Sequence, residues 1–157
     1  SLSADGNTLA VGAYNEDSNA TGINGDQADN SSSNAGAAYI FTRSGTTWSQ
    51  QSYIKASNTD EDDQFGYAVS LSDDGNTLAV TAKTEGSNAT GINGDQADNS
   101  FNGSGAAYIF TRSGTTWSQQ SYLKRNTNIS NFTRNFGNAI SISGDGNTIA
   151  VGEHIIM

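Results

Sequence analysis

Apolar residues in this chain fall on alternate positions over short stretches, and polar turns separate the stretches. In Phe65–Ser72, FGYAVSLS, the residues Phe65, Tyr67, Val69 and Leu71 share one face, while Gly66, Ala68, Ser70 and Ser72 share the other. Period-two alternation predicts a strand, and its small face allows close approach of a neighbouring sheet. Asp73-Asp74-Gly75-Asn76 follows, and an Asp-Gly pair predicts a type I′ hairpin, whose two central residues need positive φ. Thr77–Ala82 returns as a second strand with Leu78 and Val80 on one side. Residues 83–104 are rich in Gly, Asn, Ser and Asp and lack helical periodicity; a loop of this length in a compact unit is usually functional or disordered. Gly105–Arg112 is a third strand and Ser113-Gly114 a second turn. Trp117–Lys124 is a fourth strand, whose Ser118, Gln119, Gln120 and Ser121 suit an exposed edge.

The same order of elements recurs. Asp-Gly-Asn-Thr-(Leu/Ile)-Ala-Val stands at 5–11, 74–80 and 145–151, so successive copies begin 69 and 71 residues apart. A fixed period of that size means tandem repeats. Ser18–Ser31 reappears unchanged as Ser87–Ser100, and Gly36–Tyr53 as Gly105–Tyr122. Residues 1–64 form a first repeat lacking the start of its first strand, 65–135 a complete second, and 136–157 a truncated third. Four antiparallel strands per unit, in tandem, predict an all-β fold of β-propeller blades: an incomplete propeller of about ten strands, each Phe-Gly strand innermost and each Trp strand outermost. A blade buries its faces against the blades beside it. The chain opens in mid-repeat and is expected to be a fragment, unstable alone or self-associating. Its expected partners are the remaining blades of a longer parent, or further copies of itself.

Phe65-Gly66 and Phe136-Gly137, each followed by a strand and a turn, together with Leu-Ala-Val-Gly-Ala at 9–13, resemble the FG-GAP repeat. That repeat builds the propeller of integrin α-subunits and recurs in large secreted or surface proteins of bacteria. The bacterial form is the closer match, through Asp-Gly-Asn-Thr-Leu-Ala-Val and Tyr-Ile-Phe-Thr-Arg-Ser-Gly. The resemblance implies a module of an extracellular or cell-surface protein. The third letter of GAP is replaced by Tyr14 and Lys83, and the third copy reads Gly152-Glu153-His154. Integrin propellers also carry a D-x-D-x-D-G-x-x-D calcium loop between their first two strands. Asp73–Thr77 is too short for it, so Asp74 and Asp145 read as turn residues. A WD40 propeller is excluded by the period and by the lack of Trp-Asp and Gly-His pairs.

Composition narrows the choices. Leu, Ile, Val and Phe make up only 26 of 157 residues, but the net charge of −9 is modest, so an ordered fold packed partly with Ala, Gly and Tyr is expected. Sixteen acidic against seven basic residues argue against nucleic acid or an anionic membrane surface. No apolar run is long enough to insert into a membrane. Cysteine is absent, which excludes disulfides and thiolate metal sites.

Candidate chemistry rests on oxygen. Asp26 and Asp29, with Asp95 and Asp98 in the copy, offer ligands suited to a hard cation such as Ca²⁺, although their spacing is not that of an EF-hand. Asp60-Glu61-Asp62-Asp63 is denser. Between Lys55 and Phe65 the local charge is −4, whereas the equivalent stretch between Lys124 and Phe136 carries Arg125 and Arg134. Calcium at the inter-blade junctions should therefore choose the first, with Asp60, Asp62 and Asp63 as ligands; solvated acidic turns are the plainer alternative. His154 aligns with Tyr14 and Lys83 at a strand end, against a catalytic role. Trp48 and Trp117 read as structural caps, or less simply as sugar-stacking platforms. Near-identical copies do not make the single asymmetric constellation that hydrolysis needs. A non-catalytic module for adhesion, ligand binding or display is expected; the alternative is a carbohydrate-active or lectin-like propeller.

Overall fold

The structure, a computed structural model, describes residues 1–126 and 133–156. Among these the chain is all strand and turn. A three-stranded antiparallel sheet comprises β1 (Thr8–Ala13), β2 (Ala37–Ser44) and β3 (Thr47–Ile54), in that order. A four-stranded sheet follows with β4 (Phe65–Leu71), β5 (Thr77–Ala82), β6 (Ala106–Ser113) and β7 (Thr116–Leu123), again in chain order. β8 (Thr133–Ile142) and β9 (Ile149–Ile156) form the last pair. The tenth expected strand survives only as a single bridge, Leu2 to Leu9. Tandem antiparallel sheets of this kind, with no closed barrel, are the blades of an incomplete propeller.

Identical sequences pair identically. Leu9 faces Phe41 and Val11 faces Tyr39, as Leu78 faces Phe110 and Val80 faces Tyr108. Leu78, Val80, Tyr108, Phe110 and Trp117 of the second sheet pack against Ala10, Ala38, Ile40 and Ile54 of the first in one core. Phe65 enters that core between sheets, edge-on to Tyr108 at 5.3 Å and to Phe110 at 6.1 Å.

The structure corrects three expectations. The alternation in FGYAVSLS is broken by a bulge between Phe65 and Val69, with Gly66 at φ 84°. A Cβ at Gly66 would overlap the Ala37 carbonyl oxygen, so the close approach foreseen for a whole small face is concentrated in this glycine. The Asp-Gly turns are not type I′. Gly75 is left-handed at φ 67° while Asp74 is absent from the positive-φ residues. Gly75 N–H donates to Ser72 O at 3.0 Å, and Asp74 Oδ1 accepts from Asn76 N–H at 2.9 Å and Ser72 Oγ at 2.6 Å. A carboxylate that satisfies the turn's own donors selects this longer loop over the two-residue one. Third, the Trp strand is only partly an exposed edge. The long loop folds back on it, Lys124 N–H donating to Gly91 O and Asn93 N–H to Tyr122 O, both at 2.8 Å, and covering an edge in this way removes a site for unwanted pairing.

The three Asp-Gly turns stand side by side. Ala4 N–H donates to Asp73 O, and Asp73 N–H to Gly144 O, each at 2.9 Å. On the other side of the sheets, Phe65 N–H donates to Ala35 O at 3.0 Å. Each Phe-Gly segment is thereby stitched to the unit before it, which places the 60–63 turn against the second long loop.

Candidate functional site

The acidic turn sits at the junction of the first two blades. Asp62 and Gln64 are left-handed, at φ 63° and 58°, a conformation that costs free energy in a residue with a side chain. The turn is pinned by Asp62 N–H to Ser33 O at 2.8 Å and Gln64 N–H to Asn34 O at 3.0 Å. With Asn99, Asn102 and Gly86 of the second loop it lines a cavity of about 480 Å³ that has no basic side chain in its wall.

The four acids of the turn have different fates. Asp62 Oδ1 accepts from Asn34 Nδ2 at 2.9 Å, and Asp60 Oδ2 accepts from Asn99 Nδ2. Glu61 is exposed. Asp63 is 4% exposed, and its Oδ2 is buried with no hydrogen-bond partner among the described residues. Burial first, and then the charges of Glu85 and Asp60, push its carboxyl up to about 8.

Beneath the cavity lies a network that periodicity did not reveal. Lys124 Nζ is held by Glu85 Oε2 at 2.6 Å, with both side chains fully buried, and by Ser104 Oγ. Tyr122 donates to Glu85 Oε1 at 2.9 Å, and Asn58 Nδ2 donates to the same oxygen at 3.2 Å. Burial draws the Lys124 ammonium below its usual range against the pull of Glu85. The first blade repeats the pair as Lys55 and Glu16, 2.9 Å apart. The signal that could have found both is their separation, 39 residues in each copy.

The other predicted ligands, Asp26, Asp29, Asp95 and Asp98, do not line that cavity. Asp26 Oδ1 accepts from Ala28 N–H at 2.8 Å, and Asp95 Oδ1 from Ala97 N–H at 2.9 Å. Asp29 Oδ1 takes the Ser31 N–H and hydroxyl, both at 2.7 Å, and Asp98 Oδ1 takes Ser100 N–H at 2.7 Å. Those bonds hold Asp29 and Asp98 below the ordinary carboxylate range. These loops therefore use their carboxylates as turn acceptors. Among the described residues no three Asp, Glu or His side chains converge as a ready metal centre.

At the second junction, residues 127–132 and the Arg134 side chain lie outside the described residues, while Arg125 pairs with Glu153 at 2.6 Å. His154 is exposed on β9. Trp117 is buried with its indole N–H on Gln51 Oε1 at 3.1 Å; Trp48 lies open beneath Arg43.

Residues 48–110, less than half the chain, match the family model of the FG-GAP repeat. The match runs from the outer strand of one blade through the junction and into β6. No curated protein matches the chain.

Proposed function

We propose, on the premise that residues 48–110 are an FG-GAP repeat, that the chain is a non-catalytic module of a large extracellular or cell-surface protein, serving adhesion, ligand binding or display. The observation that carries this is the duplication of surface. Ser18–Ser31 and Ser87–Ser100 are the same sequence, each anchored to its own blade by an Asn that accepts from a Tyr N–H at 3.0 and 2.9 Å. Repeated copies of one loop suit avidity towards a repetitive partner better than single-site turnover. A protein or glycan ligand fits that arrangement.

The free face of the first blade supports a second partner. Trp48 and Val11 are each 40% exposed, whereas their counterparts Trp117 and Val80, packed on a neighbouring blade, are 2% and 0%. A further blade, from the parent protein or from another copy, completes that face. The same comparison favours packing over sugar stacking for Trp48. A glycan-binding or carbohydrate-cleaving role is separated by incubating the intact chain with a panel of immobilised and soluble polysaccharides. Binding without release of reducing ends supports the module. Turnover that is lost on Asp26→Asn overturns it. Among the described residues no helix is long and apolar enough to cross a membrane.

A further inference from the structure

We propose that the free edge of β9 is a docking site for a β-hairpin of the 36–53 sequence, supplied by a second copy of this chain. Among the described residues β9 pairs with β8 alone, and a strand with one open edge is a template for another strand. The sequence says which one. Thr148-Ile149-Ala150-Val151 repeats Thr8-Leu9-Ala10-Val11 and Thr77-Leu78-Ala79-Val80, with Ile in place of Leu. Both earlier copies hold the same hairpin sequence in the same register, Ala10 opposite Ile40 and Ala79 opposite Ile109. β9 therefore presents the edge that β1 and β5 use, and the equivalent register sets Ala150 opposite an incoming Ile40.

The turn before β9 is set for the same hairpin. In the first blade Arg43 N–H donates to Asn7 O at 2.9 Å, and its guanidinium reaches Asn7 Oδ1 at 3.2 Å. Arg112 repeats both contacts on Asn76, at 2.8 and 3.0 Å. Asn147 is held by Asp145 as Asn7 is by Asp5, its Nδ2 donating to the carboxylate at 3.2 Å against 3.0 Å. The turn is also seated alike on the blade before it. A Cβ at Gly146 would meet Thr77 Oγ1 at 2.8 Å, as one at Gly75 would meet Thr8 Oγ1 at 2.9 Å. An arginine delivered to Asn147 is thus placed as Arg112 is. Arg112 and Trp117 both donate to Gln51 Oε1 at 3.1 Å, and the counterpart of Gln51 is Gln120, which is exposed. The donor is a copy that has not finished folding, since in the folded chain Ile40 and Ile54 are fully buried. The β9 edge and the Trp48 face belong to different units, so this pairing does not depend on what covers Trp48 or on what the long loops recognise.

The test is a fluorescence-anisotropy titration of a labelled peptide of residues 36–53 with the intact chain. Saturable one-to-one binding is expected. Arg43→Ala in the peptide and Asn147→Ala in the chain should each weaken it by about tenfold, as loss of a hydrogen bond to a charged group does. The two losses should not add, because they remove one contact. The chain has no cysteine, so Ala150→Cys, at an exposed position, supplies a single thiol. It should form a disulfide with an Ile40→Cys peptide and far less with a Thr42→Cys peptide, since only directly opposed residues come close enough. If a chain variant fails to fold, the peptide variants against the parent chain carry the comparison. No saturable binding by about 1 mM peptide would overturn the site. So would equal binding of a scrambled peptide, additive losses, or crosslinking indifferent to position, any of which would mean unspecific adhesion to the edge.

Discussion

Asp63 is an acid taken out of water and given no partner for one of its oxygens, and its effect on stability has a definite sign. In the folded chain it titrates at about 8, against an ordinary value of 3.8. Between those values the folded state keeps a proton that the unfolded state has released. Stability therefore falls as pH rises from about 4 to about 8 and levels off above. Asp63→Asn, which carries no charge at any pH, should remove this slope, so that its stability relative to the parent rises between about pH 4 and about pH 8. Urea denaturation across that range checks it; parallel curves for the two proteins would refute it. Glu85 behaves oppositely. Glu85→Gln strands a buried ammonium and should cost about 3–5 kcal/mol, while Glu85→Leu with Lys124→Met recovers most of that loss. Glu16→Gln should cost less, because the Glu16 side chain is 11% exposed. Thermal unfolding of these three variants ranks them. The acidity of 60–63 was plain in the sequence, but which acid is buried is decided by the neighbouring loop, which no local pattern records.

At the scale of elements, alternation and turn residues located the strands of the complete blade to within a residue or two. They missed the bulge at Phe65–Val69, because an inserted residue leaves composition unchanged while shifting every later side chain. Gly66 is the only signal of it. Gly66→Ala places a Cβ against the Ala37 carbonyl oxygen at a left-handed φ and should destabilise by at least about 1–3 kcal/mol. Gly45→Ala, with nothing near its Cβ position, serves as the control for left-handed φ alone. A chemical-denaturation difference between the two measures the close approach. The buried pairs Glu16–Lys55 and Glu85–Lys124 escaped for another reason. Each joins a loop to the end of an outer strand, and only a comparison of the copies exposes such a long separation.

At the scale of the whole chain, one sequence occupies two environments. Gly36–Tyr53 and Gly105–Tyr122 are identical, yet Trp48 is open where Trp117 is covered. Burial here depends on position in the array. Trp48→Arg with Val11→Asp should leave β1–β3 paired, because both side chains already meet water, but should abolish self-association through that face. Sedimentation velocity over a concentration series checks this: the parent should shift to larger species on concentration and the variant should not. If neither protein associates, the free face is not a docking surface between copies.

The matched hairpins also bear on how the chain is assembled. β1 and β5 offer the same edge, and each pairs its hairpin in the same register, Thr8 with Thr42 and Thr77 with Thr111. Nothing in the hairpins themselves tells β5 which one to accept. Synthesis from the N-terminus resolves the ambiguity by timing, because β1 captures the first hairpin before β5 has been made. A chain released all at once from denaturant has no such order, and exchanged hairpins are the characteristic error of duplicated units.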